Sequence, residues 1–433
     1  MPTCAFVTLG CKVNQHDTQA IREDLAHLGW GEAPPPAPAN LYVVNTCCVT
    51  GGSHRKSLRL VRQIARQHPG AAIIVTGCSV ETDPERFRAI PGVAAVVGNA
   101  GKAALGQTVR RLFSQADVPE DPLAARPWPS ISTFAGHTRA FVKVEDGCND
   151  FCAYCIVPHV RGRVRSRPPD EVAEEVRRLV GNGYLEVVLT GIHLGAYGLE
   201  TGGDWSLLAL LERLAATPGL RRLRLSSLEL REVTDELIAL VAGAGVLCPH
   251  FHIPLQSGDD AVLRAMNRRY TSGDFLSRLD AVRSRIAEAA LTTDVIVGFP
   301  GETDEQFRRT IEVAQRAGFS RMHVFPYSDR EGTAASRMSG KVPREVIVAR
   351  RGEMIAVGRE LAQAYHRRFV GRIVKPLVES RRDQRTGLLC GYTERYVRTL
   401  FDGPEGLGGR IVEVLARTAS GHGVEGEIVM RDT

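Results

Sequence analysis

From Thr3 onward the chain alternates short apolar runs with longer amphipathic stretches. "CAFVTLG" leads into "HDTQAIREDLAHLG", "LYVVNT" into "RKSLRLVRQIARQ", and "AAIIVTG" and "VAAVVGN" complete the first hundred residues. Runs this short and rich in β-branched residues, separated by helix-length segments, predict parallel strands joined by crossover helices. The alternation resumes at Ala140 and continues to about Tyr365 through "AFVKVEDG", "LEVVLTGI", "RRLRLSSL", "FHIPLQSG", "LTTDVIVGFPG" and "RMHVFPYS". Six such units predict a partial or complete β/α barrel, whose chemistry belongs at the carboxyl ends of the strands. The character then changes: "GRIVKPLVES", "GLLCGYTERYVRTLF" and "GGRIVEVLARTASGHGVEGEIV" are short runs broken by Gly-containing turns, as in a small β-barrel.

The fold class is therefore α/β, in three parts. We expect an N-terminal parallel α/β domain over residues 1–125, a partial β/α barrel over 135–366 and a small β-barrel over 367–433. The Pro-, Asp- and Ser-rich "SQADVPEDPLAARPWPSISTF" reads as the first linker, and "APPPAPAN" as a surface loop. No apolar run reaches the roughly 20 residues that cross a bilayer, and the N-terminus lacks the plan of a signal peptide. These features predict a soluble cytoplasmic protein without membrane contact. A net charge of +6 over 433 residues permits an acidic partner and excludes little.

In a reducing compartment, clustered cysteines point to metal ligation or catalysis before disulfides. Three of the ten, Cys148, Cys152 and Cys155, crowd into "VEDGCNDFCAYCIVPHVRGRVRSR" after the first predicted barrel strand. Three thiolates can hold a cubane of four irons and leave one iron open. The alternative is a zinc knuckle completed by His159. Cys11, Cys47 and Cys78 each end a predicted strand of the first domain, and the carboxyl edge of a parallel sheet would bring them together. Taken singly, each is equally a small buried hydrophobe. Cys48 is expected to face away from Cys47, while Cys4, Cys248 and Cys390 are taken as structural.

The C-x3-C-x2-C spacing, with Tyr154 before the last cysteine, resembles the signature of radical S-adenosylmethionine enzymes. With the three N-terminal cysteines and the terminal barrel, nearly the whole chain is similar to the methylthiotransferase family. "TLGCKVNQ", "NTCCVT", "IPLQSGDDAVLRAMNRRY", "DVIVGFPGET" and "HVFPYSDREGT" most resemble the branch acting on threonylcarbamoyladenosine beside the tRNA anticodon. That resemblance implies two 4Fe-4S clusters and two molecules of S-adenosylmethionine. Cys148, Cys152 and Cys155 would hold the cluster that reductively cleaves S-adenosylmethionine; Cys11, Cys47 and Cys78 would hold the one that delivers sulfur to adenine C2. It further implies tRNA and an electron-donor protein as partners, and an RNA-binding TRAM domain at the end; the sequence does not give the oligomeric state, and a monomer is the expectation. Methylthiolation of isopentenyladenosine or of a ribosomal protein are the neighbouring activities, and a zinc-containing RNA-binding protein is the reading without catalysis.

Several further residues are candidates. Arg161, Arg163, Arg165 and Arg167 alternate, so an extended backbone would put all four on one face; Arg161 is expected to meet the cofactor, Arg163 RNA, and Arg167 to be solvated. Gly191, Glu229, Gln256, Ser257 and Asp294 lie at predicted strand ends, and by resemblance border S-adenosylmethionine. Thr303 reads as a helix cap. In the terminal barrel, Lys375, Arg395 and Arg398, with Tyr392, Tyr396 and Arg410, form a basic, aromatic surface suited to RNA.

Overall fold

The structure is a computed structural model that describes residues 1–34, 37–113 and 128–429; most of the expected linker lies outside them. The N-terminal sheet contains β1 (Thr3–Thr8), β2 (Gly31–Glu32), β3 (Leu41–Thr46), β4 (Ala72–Gly77) and β5 (Val93–Val97). Its order is β2-β1-β3-β4-β5, parallel throughout. β3 is central and buried along its whole length, which is why "LYVVNT" is almost uniformly apolar rather than alternating. Ile73, Val75 and Phe87 fill one side of the sheet, and Ile21, Leu25 and Ile74 the other.

The central region has β6 (Arg139–Lys143), β7 (Glu145–Asp146), β8 (Arg165–Ser166), β9 (Glu186–Thr190), β10 (Arg222–Leu225), β11 (His250–His252), β12 (Ala290–Val297) and β13 (Arg321–Pro326). β6, β9 and β10 pair in parallel, as do β11, β12 and β13. Parallel bridges Leu223–Leu247 and Ser227–His252 join the two sets into one curved, six-stranded half-barrel. β7 and β8 form a short antiparallel ribbon whose intervening chain carries Cys148, Cys152 and Cys155. Thr303 does cap its helix, accepting the Gln306 N–H in a capping box.

The terminal residues form β14 (Ile373–Val374), β15 (Leu377–Val378), β16 (Leu389–Tyr392), β17 (Arg398–Asp402), β18 (Val414–Ser420) and β19 (Gly423–Ile428). The order β14-β18-β19-β17-β16-β15 makes a curled sheet, a half-barrel wrapped around Val378, Phe401 and Val414. It is fastened to the central barrel by two buried arginines. Arg222 donates to the carbonyls of Tyr392 (3.0 Å) and Lys375, and Arg224 to those of Glu394 (2.9 Å) and Thr393 (3.1 Å).

The arginine row does not share one face. Arg161 ends the helix Val157–Arg161, and the chain turns at Gly162 with φ +77°, so the extended register breaks there. Arg163 and Arg165 are exposed, whereas Arg161 and Arg167 are buried. Arg167 is not solvated: its guanidinium donates to Glu175 at 2.7 Å, and Glu175 also meets His16 at 3.0 Å from the N-terminal domain.

Candidate active site

Parallel pairing lines up the carboxyl ends of β1, β3 and β4, and each end delivers one cysteine. Cys11 is the N-cap of the helix Lys12–His27, Cys47 follows Thr46 directly, and Cys78 opens the helix Cys78–Thr82. The glycine before Cys11 is required by this packing: Gly10 has φ +111°, and a Cβ there would stand 3.1 Å from the Cys47 sulfur. Asn14 holds the turns together, donating to the carbonyls of Leu9 (2.8 Å) and Thr46 (2.9 Å). Cys48 does not turn to the far side of the sheet. Fully buried, it packs against Cys78, Ile156 and Val160. The Cys78 thiol is held down to about 5, first by its hydrogen bond with Cys48, then against burial by the Arg161 and Lys102 charges.

The second triad sits where the half-barrel opens. Gly147, φ +100°, lets the chain pass the Arg163 carbonyl, and the Cys148 N–H then donates to Gly162 O at 3.1 Å. The Ala153 N–H donates to Met266 O at 2.9 Å, and its carbonyl accepts from Ala335 at 2.7 Å. Those bonds tie the cysteine loop to two distant segments of the barrel. The Cys155 thiol is pushed up to about 12 and Cys152 also rises, both chiefly through burial. Buried thiols with raised pKa favour neutral packing until a cation takes the place of the protons, which suits metal ligation better than free nucleophilicity. His159 is exposed, with its ring against Phe151, while the histidine beside Cys148 is His193 at 3.7 Å.

Arg268 is a residue that the sequence did not single out. Its guanidinium donates to Cys152 Sγ at 3.3 Å and forks onto both oxygens of Glu229. Together they line a cavity of about 290 Å³ beside Cys152, which also includes Asp150 and Tyr270. Of the other expected cofactor residues, Gly191 packs where a Cβ would lie 2.6 Å from Glu145. Gln256 adopts φ +61° and bridges to Val295, and Ser257 is fully buried next to Thr310. Asp294 faces the barrel interior and accepts from His323 (3.1 Å) and His252 (3.3 Å), which hold its carboxyl well below the usual range despite burial.

The two triads adjoin. Arg161, on the helix just after Cys155, donates through Nε to Cys78 Sγ at 3.2 Å. Its terminal nitrogens donate to Asp146 at 3.0 Å and to Asn14 at 2.6 Å. Asp146 pairs with Lys143 (2.7 Å), Lys143 with Asp17 (3.0 Å), and Asp17 with Lys102 (2.8 Å), giving a buried chain of charges across the domain boundary. Among the expected RNA contacts, Arg163 is exposed close to this junction. Lys375 pairs with Glu413 at 3.1 Å, Arg395 with Glu394, and Arg398 with Asp383. Arg395 and Arg398 also line a cavity of about 180 Å³ with Arg321 and Tyr396.

A parallel half-barrel with a three-cysteine loop at its opening defines a radical S-adenosylmethionine enzyme. Residues 142–314 match the Radical SAM superfamily, and residues 3–98 match Uncharacterized protein family UPF0004. The chain is 38% identical to Threonylcarbamoyladenosine tRNA methylthiotransferase MtaB of Bacillus subtilis, over 99% of this chain and 97% of that protein. It is likewise 37% identical to tRNA-2-methylthio-N(6)-dimethylallyladenosine synthase of Syntrophotalea carbinolica, over 94% and 95%. The chain belongs to the radical S-adenosylmethionine tRNA methylthiotransferase family. In fold it resembles the radical S-adenosylmethionine methyltransferase TsrM from Kitasatospora setae, with TM-score 0.54, 16% identity and 75% of each chain covered.

Proposed function

We propose that this enzyme inserts a methylthio group at C2 of N6-threonylcarbamoyladenosine at position 37 of tRNA, using two 4Fe-4S clusters and two molecules of S-adenosylmethionine. The observation that carries the substrate is the extent of the match to the Bacillus subtilis enzyme named for threonylcarbamoyladenosine, 99% of this chain and 97% of that protein with both cysteine triads included, against 94% and 95% for the Syntrophotalea carbinolica enzyme at nearly the same identity. Each donor set fits a cluster: three thiols from adjoining turns, with no fourth cysteine in the loop between β7 and β8 and only Cys48 beside the first set. When bound, the clusters and S-adenosylmethionine supply the one-electron chemistry and the sulfur that no side-chain acid or base can provide.

The protein's own residues hold and orient. Cys148, Cys152 and Cys155 would ligate the radical-type cluster, and Cys11, Cys47 and Cys78 the other. Gly191, Glu229, Gln256, Ser257 and Asp294 would border S-adenosylmethionine, Glu229 held in place by Arg268. Arg161 would act between the sites as a positioning residue. Arg163, Lys375, Arg395 and Arg398 would meet the anticodon arm, with 1–125, 135–366 and 367–433 as the working domains. No helix among the described residues is long and apolar enough to cross a membrane. We also take the enzyme to work in the cytoplasm, as a monomer served by an electron-donor protein.

Nucleoside mass spectrometry of tRNA from cells lacking the gene, beside cells with it restored, tests the substrate. Loss of the methylthio form, with threonylcarbamoyladenosine accumulating, is the expected result. Loss of the isopentenyl counterpart instead would move the activity to the neighbouring branch, and no change in either would overturn tRNA as the target.

A further inference from the structure

The interior of the half-barrel encloses a cavity of about 330 Å³ that touches neither cysteine triad directly. Its walls come from all three parts of the chain: Lys12 follows Cys11, Arg321 opens β13, and Tyr396 rises from the terminal sheet. The charge inside is unbalanced. Asp294 is the acidic residue among the lining, and both of its neighbours, His252 and His323, already satisfy it. Arg224 is committed to Glu186 at 2.7 Å. Lys12 and Arg321 have no acidic partner among the described residues, so two cations face the cavity without a counter-ion.

Hydrogen bonding is also incomplete there. Ser226 Oγ and His250 Nδ1 are buried with no partner, in residues only 7% and 6% exposed, and both residues line this cavity. An unpaired buried polar group is costly, and native proteins rarely leave two in one place unless a ligand or water completes them. Burial and the nearby Arg224 keep His250 neutral, so its ring supplies a hydrogen bond rather than charge. Tyr396 and Phe325 add ring surface to the same walls.

We propose that this lumen binds the carboxylate carried by the modified nucleoside, with Lys12 and Arg321 facing its charge and Ser226 and His250 completing its hydrogen bonds. The inference rests on the threonylcarbamoyl reading above and deepens it. A threonylcarbamoyl group presents a carboxylate and a hydroxyl, whereas an isopentenyl group presents only hydrocarbon and would leave two cations and two polar atoms unpaired. Charge-assisted hydrogen bonds to a desolvated carboxylate are the strong ones, and they discriminate because the empty site is itself costly.

The test is equilibrium binding of the cluster-loaded enzyme to four anticodon stem-loop RNAs that differ only at position 37: threonylcarbamoyladenosine, its carboxamide, isopentenyladenosine and adenosine. The wild type should bind the carboxylate RNA about tenfold or more tighter than the carboxamide. Lys12→Met and Arg321→Met should each erase most of that ratio while affinity for the adenosine RNA stays unchanged, and Lys12→Arg should restore it. Both side chains reach solvent, so truncation is compatible with folding, which thermal unfolding of each variant checks. If the wild type shows the preference and both variants keep it, the lumen assignment is overturned and the substrate reading stands. If the variants weaken all four RNAs equally, these cations serve the phosphate backbone and the assignment is again overturned. If the wild type prefers the isopentenyl RNA or none, the substrate reading fails and the carboxylate site with it.

Discussion

Arg161 Nε donates to Cys78 Sγ at 3.2 Å, so a side chain that follows the cysteine loop of the barrel touches a cysteine of the N-terminal sheet. The same guanidinium neutralises Asp146, buried on every side. Arg161→Met removes one of the two cations that meet buried Asp146 and leaves it Lys143 alone, at 2.7 Å. Unfolding by denaturant should show a loss of about 1–3 kcal/mol, with iron content falling because Cys78 loses its neighbour. An unchanged midpoint and full iron would mean that the pair is dispensable.

The two triads should separate by function. Alanine at Cys148, Cys152 or Cys155 is expected to abolish reductive cleavage of S-adenosylmethionine, followed as release of methionine. Alanine at Cys11, Cys47 or Cys78 should leave cleavage measurable and end sulfur insertion. In each set, iron should fall from about eight to about four atoms per chain. Identical behaviour of both sets in both assays would refute the division of labour.

Gly147 separates backbone strain from steric clash. A Cβ there would lie 2.0 Å from the Arg163 carbonyl, while Gly136, also at positive φ (+74°), has open space around its missing side chain. Gly147→Ala should therefore displace the Cys148 turn and yield protein with about half the iron, whereas Gly136→Ala should retain full iron. Equal iron in the two variants would show that the turn tolerates the side chain.

Glu145, just before the cysteine loop, is a carboxyl that burial pushes up to about 8. Its Oε2 accepts the His193 N–H at 2.7 Å and its Oε1 has no partner. A raised folded pKa means that the native state keeps a proton which the unfolded chain has released. The contribution is therefore complete below the unfolded value of 4.5 and is lost as pH rises toward about 8. Glu145→Gln cannot titrate. Its melting temperature relative to wild type should climb as pH moves from about 5 to about 8, and a difference independent of pH would contradict the assignment.

Lys375 is the most exposed of the expected RNA contacts in the terminal sheet, with 59% of its side chain open beside Glu413. Lys375→Ala should weaken tRNA binding uniformly across RNA sequences and lower the slope of log affinity against log salt by about 1. A slope equal to that of wild type would remove Lys375 from the interface.

What the sequence displayed was local. Strand runs, their crossover spacing and the cysteines at strand ends are visible residue by residue, because burial of a parallel sheet writes continuous apolar segments. The arginine row misled for the same reason: alternation implies a shared face only if the backbone stays extended, and the helix Val157–Arg161 with its Gly162 turn breaks it. Arg167 reads as solvated in the sequence because its partners, Glu175 and through it His16, come from another helix and another domain. Arg268 lies inside "IPLQSGDDAVLRAMNRRY", yet its role depends on Cys152, 116 positions away along the chain. Pairings of this kind leave no periodic trace.

Tyr396 reaches the barrel interior from the turn between β16 and β17 while Lys12 reaches it from the start of the helix Lys12–His27. The reaction chamber consequently has shared ownership. A chain cut before Ile373 would retain every cysteine of both triads and still lose part of the wall around its substrate. Exchanging the terminal sheet for that of a relative would then alter which nucleoside fits, as well as how tightly the RNA is held.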